Sequence, residues 1–431
     1  MELINNYQLP EGYKKTEVGV IPEDWDVVIF DECFDILSGY GFKKSEYTNY
    51  GVKLLRIDNV SYGRVRWDSI AFLPIKYTET YKNLLINEGD FLLALNRPIT
   101  NDKLKIAIAK NSDIPSILYQ RVGKIIRLSE IYDKDCAFHI LYKFIKQFVE
   151  ESAVGTDQPF ISTTNLKKCK LPIPPKEEQK AIAQTLSDVD ALIDELDKLI
   201  AKKRNIKTGT MQQLLTGKTR LLGFGGEWEI KKIEDIARPV SVKNVENEKL
   251  PVLTCSKHLG FVDSLAYFKN QIFSKNTTGY KVICFGEIGY PSNHIEEGSI
   301  GIQDLYDKAL VSPIYTIFSV NQEIDSHFLH KVLKLDYYRQ KFKTLTTSSV
   351  DRRGSLRWPE FSQITVSLPP LPEQKAIAKV LSDIDTEITA LEKRRAKTQA
   401  IKQGMMQELL TGRTRLKIEH PDDPITKNSN G

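Results

Sequence analysis

The sequence predicts an α+β protein in which two α/β domains, related by a pseudo-twofold axis, are joined by two long antiparallel coiled-coil helices. Three observations support this prediction. A segment of 43 residues occurs twice at an offset of 195, and about 26 of its positions are identical. Apolar residues in each copy recur at steps of four and three, the spacing of a coiled-coil seam. A block of short β-rich runs, interrupted by Gly, Asn and Asp, precedes each copy.

The repeat divides the chain into parts. Its period far exceeds the 20–50 residues of solenoids and propellers, so we expect two large units and not an array. The parts are a first domain at 1–175, a central helix at 176–217, a second domain at 218–371, a distal helix at 372–416 and a flexible tail at 417–431.

The domains contain apolar runs of strand length and two helical segments. We expect helices near 136–150 and near 325–342. The predicted strands include Lys53–Ile57, Asp90–Leu95 and Lys124–Leu128 in the first domain, and Lys281–Phe285 and Pro313–Phe318 in the second. Each domain therefore combines a mixed sheet with helices.

The two repeats carry the start, period and stop of a helix. Prolines and acidic residues precede each copy, and Gly217 and Gly412 follow where a helix ends in the left-handed conformation. The length of about 40 residues corresponds to roughly 60 Å. Because a narrow apolar stripe needs a partner, we expect the two helices to pair, with the domains at opposite ends of a rod. The alternative is that each helix docks separately on its own domain.

Composition narrows the class of protein. No apolar run reaches the length of a membrane span, and residues 1–15 lack the apolar core of a secretory signal. The five cysteines are scattered and never spaced as CxxC, which indicates reduced thiols and neither disulfides nor a zinc site. We therefore expect a cytoplasmic protein without membrane contact. The net charge is +5 and the repeats are nearly neutral, so the positive excess lies mostly in the domains.

The lines LPIPPKEEQKAIAQTLSDVD and LPPLPEQKAIAKVLSDID, each leading into a helix that ends in LLTGKTRL or LLTGRTRL, resemble the specificity subunit of type I DNA restriction–modification systems. The resemblance implies that the domains are target recognition domains, each reading one half of a split DNA site. It implies that the coiled coil sets the gap between the halves and docks two modification (methyltransferase) subunits. Restriction (translocase and endonuclease) subunits are further expected partners.

Motifs for catalysis are missing from the sequence. It has no Asn-Pro-Pro-aromatic methylation motif, and Gln212 stands where a phosphate-binding loop before Gly217-Lys-Thr would need glycine. The pair His327 and His330 lacks an evident third metal ligand, so we expect it to be structural. We predict no enzyme activity, metal or cofactor in this chain, with S-adenosylmethionine, ATP and Mg²⁺ bound by the partner subunits. A free-standing DNA methyltransferase or nuclease with an unrecognised site, and a coiled-coil scaffold, remain alternatives.

Candidate DNA contacts are basic and amide side chains in Gly- and Asn-rich turns, because such groups suit phosphates and base edges. In the first domain they are Lys43, Lys44, Arg64, Arg66, Asn96, Arg97, Lys103, Lys105, Gln120 and Arg121. In the second they are Lys257, His258, Lys275, Lys281, Asn293, His294, Arg352, Arg353 and Arg357. Candidate contacts to the modification subunits occupy matched places off the seam, at Lys198, Lys202, Lys393 and Lys397.

Overall fold

The computed structural model describes residues 9–152, 160–347 and 355–416. The chain divides into two compact units: the first is formed by Met1–Glu195 and Arg395–Gly431, the second by Leu196–Arg394. Each unit mixes helices with sheets, as the predicted α+β class requires. The predicted tail at 417–431 lies outside the described residues. In the part of the chain that is described, no helix is both long and apolar enough to cross a membrane.

The first unit contains fourteen described strands and four short or medium helices before the first long helix. The strands are β1 (Tyr13–Thr16), β2 (Gly19–Pro22), β3 (Asp26–Ile29), β4 (Phe34–Ser38), β5 (Val52–Leu55), β6 (Gly63–Arg64), β7 (Phe72–Leu73), β8 (Phe91–Ala94), β9 (Ile99–Thr100), β10 (Lys103–Leu104), β11 (Ile106–Ile108), β12 (Ser116–Leu118), β13 (Val122–Arg127) and β14 (Lys170–Ile173). The helices are α1 (Phe30–Cys33), α2 (Tyr77–Thr80), α3 (Lys134–Ser152), α4 (Thr163–Leu166) and then α5 (Lys176–Leu214).

A five-stranded sheet in the order β4-β13-β8-β11-β6 forms the centre of the first unit. Its central strand β8 is buried on both faces, which explains why it is an uninterrupted apolar run. Phe91 and Leu93 pack in the core that contains α3, whereas Leu92 and Ala94 pack in the core with the three-stranded sheet β12-β5-β7. The alternation follows from the two-residue period of a strand.

The second unit has its own set of elements, and the second long helix starts within it. Its strands are β15 (Glu229–Lys232), β16 (Ala237–Val240), β17 (Leu253–Ser256), β18 (Gly260–Asp263), β19 (Lys281–Cys284), β20 (Ile288–Pro291), β21 (Gly301–Ile302), β22 (Lys308–Val311), β23 (Tyr315–Val320) and β24 (Thr365–Leu368). Its helices are α6 (Ile233–Ile236), α7 (Ser264–Phe268), α8 (Ser326–Leu333), α9 (Asp336–Thr347), α10 (Trp358–Ser362) and α11 (Leu371–Leu409).

A four-stranded sheet in the order β16-β23-β20-β21 is the counterpart of the larger sheet in the first unit. Tyr290, Phe318 and Phe328 are fully buried in its core. The predicted helix at 136–150 is confirmed as α3. The helix predicted near 325–342 is instead two helices, α8 and α9. Lys334 and Leu335 lie between them. The ammonium of Lys334 donates hydrogen bonds to the carbonyl oxygens of Lys257 at 2.7 Å and Gly298 at 2.9 Å, which fastens the break to the neighbouring loops.

Each unit contains an antiparallel pairing of α5 with α11. In the first unit, Lys402 Nζ donates to both carboxylate oxygens of Asp190 at 2.6 Å, and Met406 packs in the same core as Ile182. In the second unit, Lys207 forms an ion pair with Asp385. Lower-numbered residues of α5 face higher-numbered residues of α11 in both, so the predicted antiparallel pairing is confirmed. Each helix has 39 residues, close to the predicted 40.

Candidate nucleic-acid interface

All five strands of the central sheet of the first unit have one of their ends on the same side of that sheet. Strands β4 and β8 end there and β13 begins there, because Ser38 lies opposite Gly123 and Ala94 lies opposite Val122. Strand β11 also begins there, and β6 runs parallel to it. We call the residues just beyond these strand ends the first strand-end surface. They are Tyr40, Tyr62, Asn96, Arg97, Lys103, Lys105, Gln120 and Arg121.

The hairpin of β9 and β10 carries one side of this surface. Tyr62 Oη donates to the carbonyl oxygen of Thr100 at 3.0 Å, and the ammonium of Lys103 lies 5.7 Å from the centroid of the Tyr62 ring. The only acidic side chain in this hairpin, Asp102, is paired with Lys146 at 2.9 Å. Its negative charge is thereby largely offset, so the positive charges of the half-buried Lys103 and Lys105 and of the exposed arginines dominate this surface.

Arg97 and Arg121 provide the exposed charges at the centre of this surface. Among the residues that the structure describes, neither guanidinium has a hydrogen-bond or ion-pair partner. Their backbone φ angles are +47° and +66°, in the left-handed region that costs a residue with a Cβ atom about 1–2 kcal/mol. Unpaired guanidinium groups are suited to bidentate hydrogen bonds with phosphates or guanine edges.

Tyr40 is a member of this surface that the sequence did not single out. Its ring is half exposed, and it packs against the rings of Phe42 and Tyr81 at centroid distances of 5.1 and 5.6 Å. The backbone nitrogen of Gln120 donates to the Tyr40 carbonyl at 3.0 Å. The sequence offers only the flanking Gly39 and Gly41 as a signal for Tyr40, and the structure shows why Gly39 is needed, since a side chain there would collide with the Tyr119 carbonyl at 2.4 Å.

The remaining candidates of the first unit lie outside the first strand-end surface. Lys43 and Lys44 are exposed on the turn that follows Phe42. Arg64 is exposed in β6, and Arg66 beyond it is paired with Asp68 at 2.5 Å. The structure thus brings together six of the ten candidates from this unit.

A matched surface is present in the second unit. Pro291 at the end of β20 lies opposite Tyr315 at the start of β23, as Ala94 lies opposite Val122 in the first unit. Asn293 therefore occupies the place of Asn96, His294 that of Arg97 and Ile314 that of Arg121. We call Asn293, His294 and Ile314 the second strand-end surface.

Backbone hydrogen bonds support the match. Leu95 N donates to the Arg121 carbonyl at 2.9 Å, and Ser292 N donates to the Ile314 carbonyl at 3.4 Å. From the far side, Ile161 N donates to the Leu95 carbonyl and Leu356 N to the Ser292 carbonyl, both at 2.8 Å. The two units therefore share these strand-end hydrogen bonds and carry different side chains beside them.

His294 of the second strand-end surface also belongs to the one group of potential metal ligands found among the described residues. Atoms of His294, Glu296 and Glu297 lie within 4.8 Å of one another, with His294 Nδ1 3.3 Å from Glu297 Oε1. A histidine with two carboxylates could bind a divalent cation, but exposed acidic groups of this kind are common without one. The two carboxylates also oppose a phosphate at His294.

Other candidates of the second unit are scattered. Lys281 donates to the Tyr315 carbonyl at 2.6 Å, and burial lowers its pKa, so this ammonium serves the fold. Lys257 and His258 are exposed between β17 and β18, and Lys275 is exposed in the loop before β19. Arg357 is exposed just before α10. Arg352 and Arg353 lie outside the described residues.

The two histidines of the predicted pair differ in their surroundings. His330 Nε2 lies 3.2 Å from the Ile300 carbonyl, and burial lowers the His330 pKa to about 4. His327 Nδ1 lies 3.8 Å from an Asp304 carboxylate oxygen. A half-buried, neutral imidazole at His330 that contacts a backbone carbonyl supports packing of the fold.

The repeated Glu-Gln pair at the start of each long helix has a role that the sequence analysis missed. Glu178 is buried and accepts hydrogen bonds from Arg415 Nε at 2.7 Å and from Trp25 Nε1 at 2.9 Å. In the second unit, buried Glu373 accepts from Arg220 Nε at 2.5 Å. Each helix end is thereby tied to the start of the other helix within one unit.

The glutamine that follows repeats its own contacts. Gln179 Nε2 donates to the Pro174 carbonyl at 2.8 Å, and its Oε1 accepts from Asp133 N at 2.7 Å. Gln374 makes the matching contacts with the Pro369 carbonyl at 2.8 Å and Asp325 N at 3.0 Å. The signal for both pairs was available, because all four residues recur at the offset of 195.

The candidate partner contacts are exposed on the long helices. Lys198, Lys202, Lys393 and Lys397 all have exposed side chains. By contrast, Lys203 is paired across the helices with Glu387 at 2.8 Å. The four lysines are therefore available for contacts beyond the helix pair, while their neighbour is used within it.

Comparison with known proteins relates these features to a family. The family model described as "Type I restriction modification DNA specificity domain" matches residues 22–207 and 225–403. The type I restriction enzyme MjaVIII specificity subunit of Methanocaldococcus jannaschii is 46% identical over 212 residues, covering 49% of this chain and 50% of that protein. The putative MjaX specificity subunit of the same organism is 28% identical over 444 residues, covering 97% and 100%.

One solved structure supports the fold. The crystal structure of the S subunit of a type I restriction–modification system from M. genitalium superimposes with a TM-score of 0.54 at 17% sequence identity, covering 95% of this chain and 98% of that one. This similarity concerns the fold alone. The alignment with the MjaVIII subunit spans about half of that relative's length, whereas the MjaX subunit is matched in full.

Proposed function

Because this chain belongs to the type I restriction–modification DNA specificity family, we propose that each of its two units reads one half of a split DNA site. The family resemblance seen in the repeated motif is confirmed by this membership. So is the prediction of a recognition subunit without catalysis of its own. The alternatives of a free-standing methyltransferase, a nuclease or a scaffold have no finding in their favour.

The observation that carries this proposal is the pair of matched strand-end surfaces. The pairing of the strand ends is the same in both units, but Arg97 and Arg121 are replaced by His294 and Ile314. Direct readout depends on the side chains that meet base edges. Equal scaffolds with unequal side chains therefore suit a DNA site whose two halves differ in sequence.

The paired helices act as the spacer in this proposal. Their contacts are repeated in the two units, with Lys402 on Asp190 in one and Lys207 on Asp385 in the other. Such cross-helix ion pairs help to fix the alignment of two antiparallel helices. A fixed alignment of the rod would hold the two recognition units at a fixed separation, and so would fix the number of base pairs between the half-sites.

The partner subunits would supply the chemistry. We expect two modification subunits, which bind S-adenosylmethionine, to dock on the helices at or near Lys198, Lys202, Lys393 and Lys397. Restriction subunits that use ATP and Mg²⁺ would join this complex. The support is the exposure of these lysines and their matched places in the two repeats.

Methylation mapping of the host genome tests the proposed function. We expect a methylated motif of two short specified stretches, separated by unspecified bases, to be present with the gene and lost on its deletion. Restoring the gene should restore the motif. An uninterrupted motif, or an unchanged methylation pattern on deletion, would contradict the proposal.

A further inference from the structure

Two arginines of the first strand-end surface have an unusual backbone. Arg97 and Arg121 have φ angles of +47° and +66°, a region in which residues other than Gly, Asn and Asp are uncommon. Both side chains are exposed, and neither guanidinium has a hydrogen-bond or ion-pair partner among the described residues. Side-chain contacts within the described part of the chain therefore do not explain the conformation.

The shared fold does not require this conformation. In the second unit, the residue that matches Arg97 is His294, whose φ is −140°. Ile314, which matches Arg121, is not among the residues with positive φ. The same hydrogen bond joins the two strand ends in both units. The left-handed arginines are thus a feature of the first unit and not of the scaffold.

The two arginines follow and precede neighbouring strands of one sheet. Arg97 comes three residues after the end of β8, and Arg121 comes directly before β13. The hydrogen bond of 2.9 Å from Leu95 N to the Arg121 carbonyl holds the two turns together. Recognition groups placed on strand ends are more rigidly oriented than groups on free loops. With no partner among the described residues, each guanidinium can use its donors as a bidentate fork.

We propose that Arg97 and Arg121 are the specificity-determining pair of the first unit, each reading the edge of a guanine in its half-site. This assignment rests on the proposed function. Arginine donates two hydrogen bonds to O6 and N7 of guanine in the major groove, and this pairing distinguishes guanine from the other bases. The left-handed turns aim the two forks, and strained backbone is retained where it serves such a role.

The glycine variants Arg97→Gly and Arg121→Gly separate recognition from folding. Glycine accepts positive φ without strain, so each variant should unfold at the same or a higher temperature than the wild type. In the complex reconstituted with the modification subunits, each should reduce discrimination between cognate and non-specific DNA by roughly 10- to 100-fold. The loss should fall on one G·C pair of the first half-site in each case.

Lys269→Gly is the matched control. Lys269 is also an exposed cation with positive φ, at +58°, but it lies at the end of α7 in the second unit. Its replacement removes the same charge and relieves the same strain. We expect an equal or higher unfolding temperature and unchanged discrimination at the first half-site.

Three results with the arginine variants would overturn the assignment. An unfolding temperature of a variant below that of the wild type would show that the arginines stabilise the fold. An equal loss of affinity for cognate and non-specific DNA would make them phosphate contacts, and no loss would remove them from the interface. If the wild-type complex itself recognises no split site, both the proposed function and this assignment fail, and that result is visible before any variant is made.

Discussion

A buried carboxylate holds the beginning of each long helix. Glu178 is 1% exposed and Glu373 is fully buried, and each accepts hydrogen bonds from an arginine that follows the end of the other helix. In the first unit Arg415 also binds Asp24, which lowers the pKa of that carboxyl group and raises the pKa of the guanidinium. A buried charge that loses its partner is costly, so these arginines should matter more to folding than exposed ones.

Replacing Arg415 with alanine should lower the free energy of unfolding by about 2 kcal/mol, because Glu178 is left buried without its cation. The value is below that of a fully buried pair because the guanidinium is partly exposed. The double variant with Glu178→Gln should recover part of the loss. The free energy of unfolding is measured by chemical denaturation. The control variant is Arg413→Ala, which removes an exposed guanidinium 4.0 Å from Glu408. Equal effects of the two arginine variants would contradict this account.

Buried histidine makes stability depend on pH. Burial lowers the pKa of His139 to about 3, and the nearby charge of Lys402 adds to this effect. Because the unfolded chain binds this proton near pH 6.5 and the folded chain does not, stability should fall as the pH drops from about 6.5 toward 3. His139→Leu removes this proton uptake, so the slope of the unfolding free energy against pH should become less steep by up to about 1.4 kcal/mol per pH unit. Unfolding curves between pH 4 and 7 would show it, and an unchanged slope would contradict the assignment.

At the scale of elements, the sequence predicts what depends on local pattern. The seam residues Ile182, Leu186, Ile377 and Leu381 recur with the spacing of a coiled coil, and all four are buried. The strand-end surfaces were not predictable in this way, because they depend on register between strands such as Ala94 opposite Val122. Turns that are distant in sequence can be predicted to lie side by side only when the pairing of the strands is known.

The charged contacts show the same limit. Arg415 and Glu178 are 237 residues apart, so no spacing rule connects them. Their recurrence as Arg220 and Glu373 marks them as important without saying what they touch. The break between α8 and α9 was also missed, and the hydrogen bonds that Lys334 makes there, to Lys257 and Gly298, join residues that no local pattern connects.

The length of the helix pair should set the gap in the recognised DNA. Inserting four residues after position 197 and four after position 392 lengthens both helices by about 6 Å. At about 3.4 Å per base pair, the gap between half-sites should widen by one or two base pairs. Insertion into only one helix is the control, since it should disrupt the pairing. An unchanged gap in a folded double-insertion variant would contradict the spacer role.

In the chain as a whole, the repeat places the same exposed lysines on both long helices. The exposed lysines Lys198 and Lys393 are matched by the repeat, as are Lys180 and Lys375 nearer to the helix starts. A partner that recognises one repeat should therefore also recognise the other. This symmetry leads to the expectation of two modification subunits for one specificity subunit.

Reversing the charge of Lys198 and Lys393 together should weaken the docking of both modification subunits. Native mass measurement at low subunit concentration should show that the full complex is lost. We expect the association of the modification subunits to be at least tenfold weaker. Reversal at Lys180 and Lys375 controls for the change in net charge. Undiminished binding of two subunits to the Lys198 and Lys393 variant would show that these lysines are not contacts.

The exchange of one recognition domain tests most directly whether each unit reads one half of the DNA site. Residues 30–165 are replaced with the corresponding segment of a family member that recognises another DNA site, and the methylated motif is then mapped in the host. We expect one half of the motif to change, while the other half and the gap between them stay the same. A change in both halves, or in neither, would contradict the claim that each unit reads one half of the site.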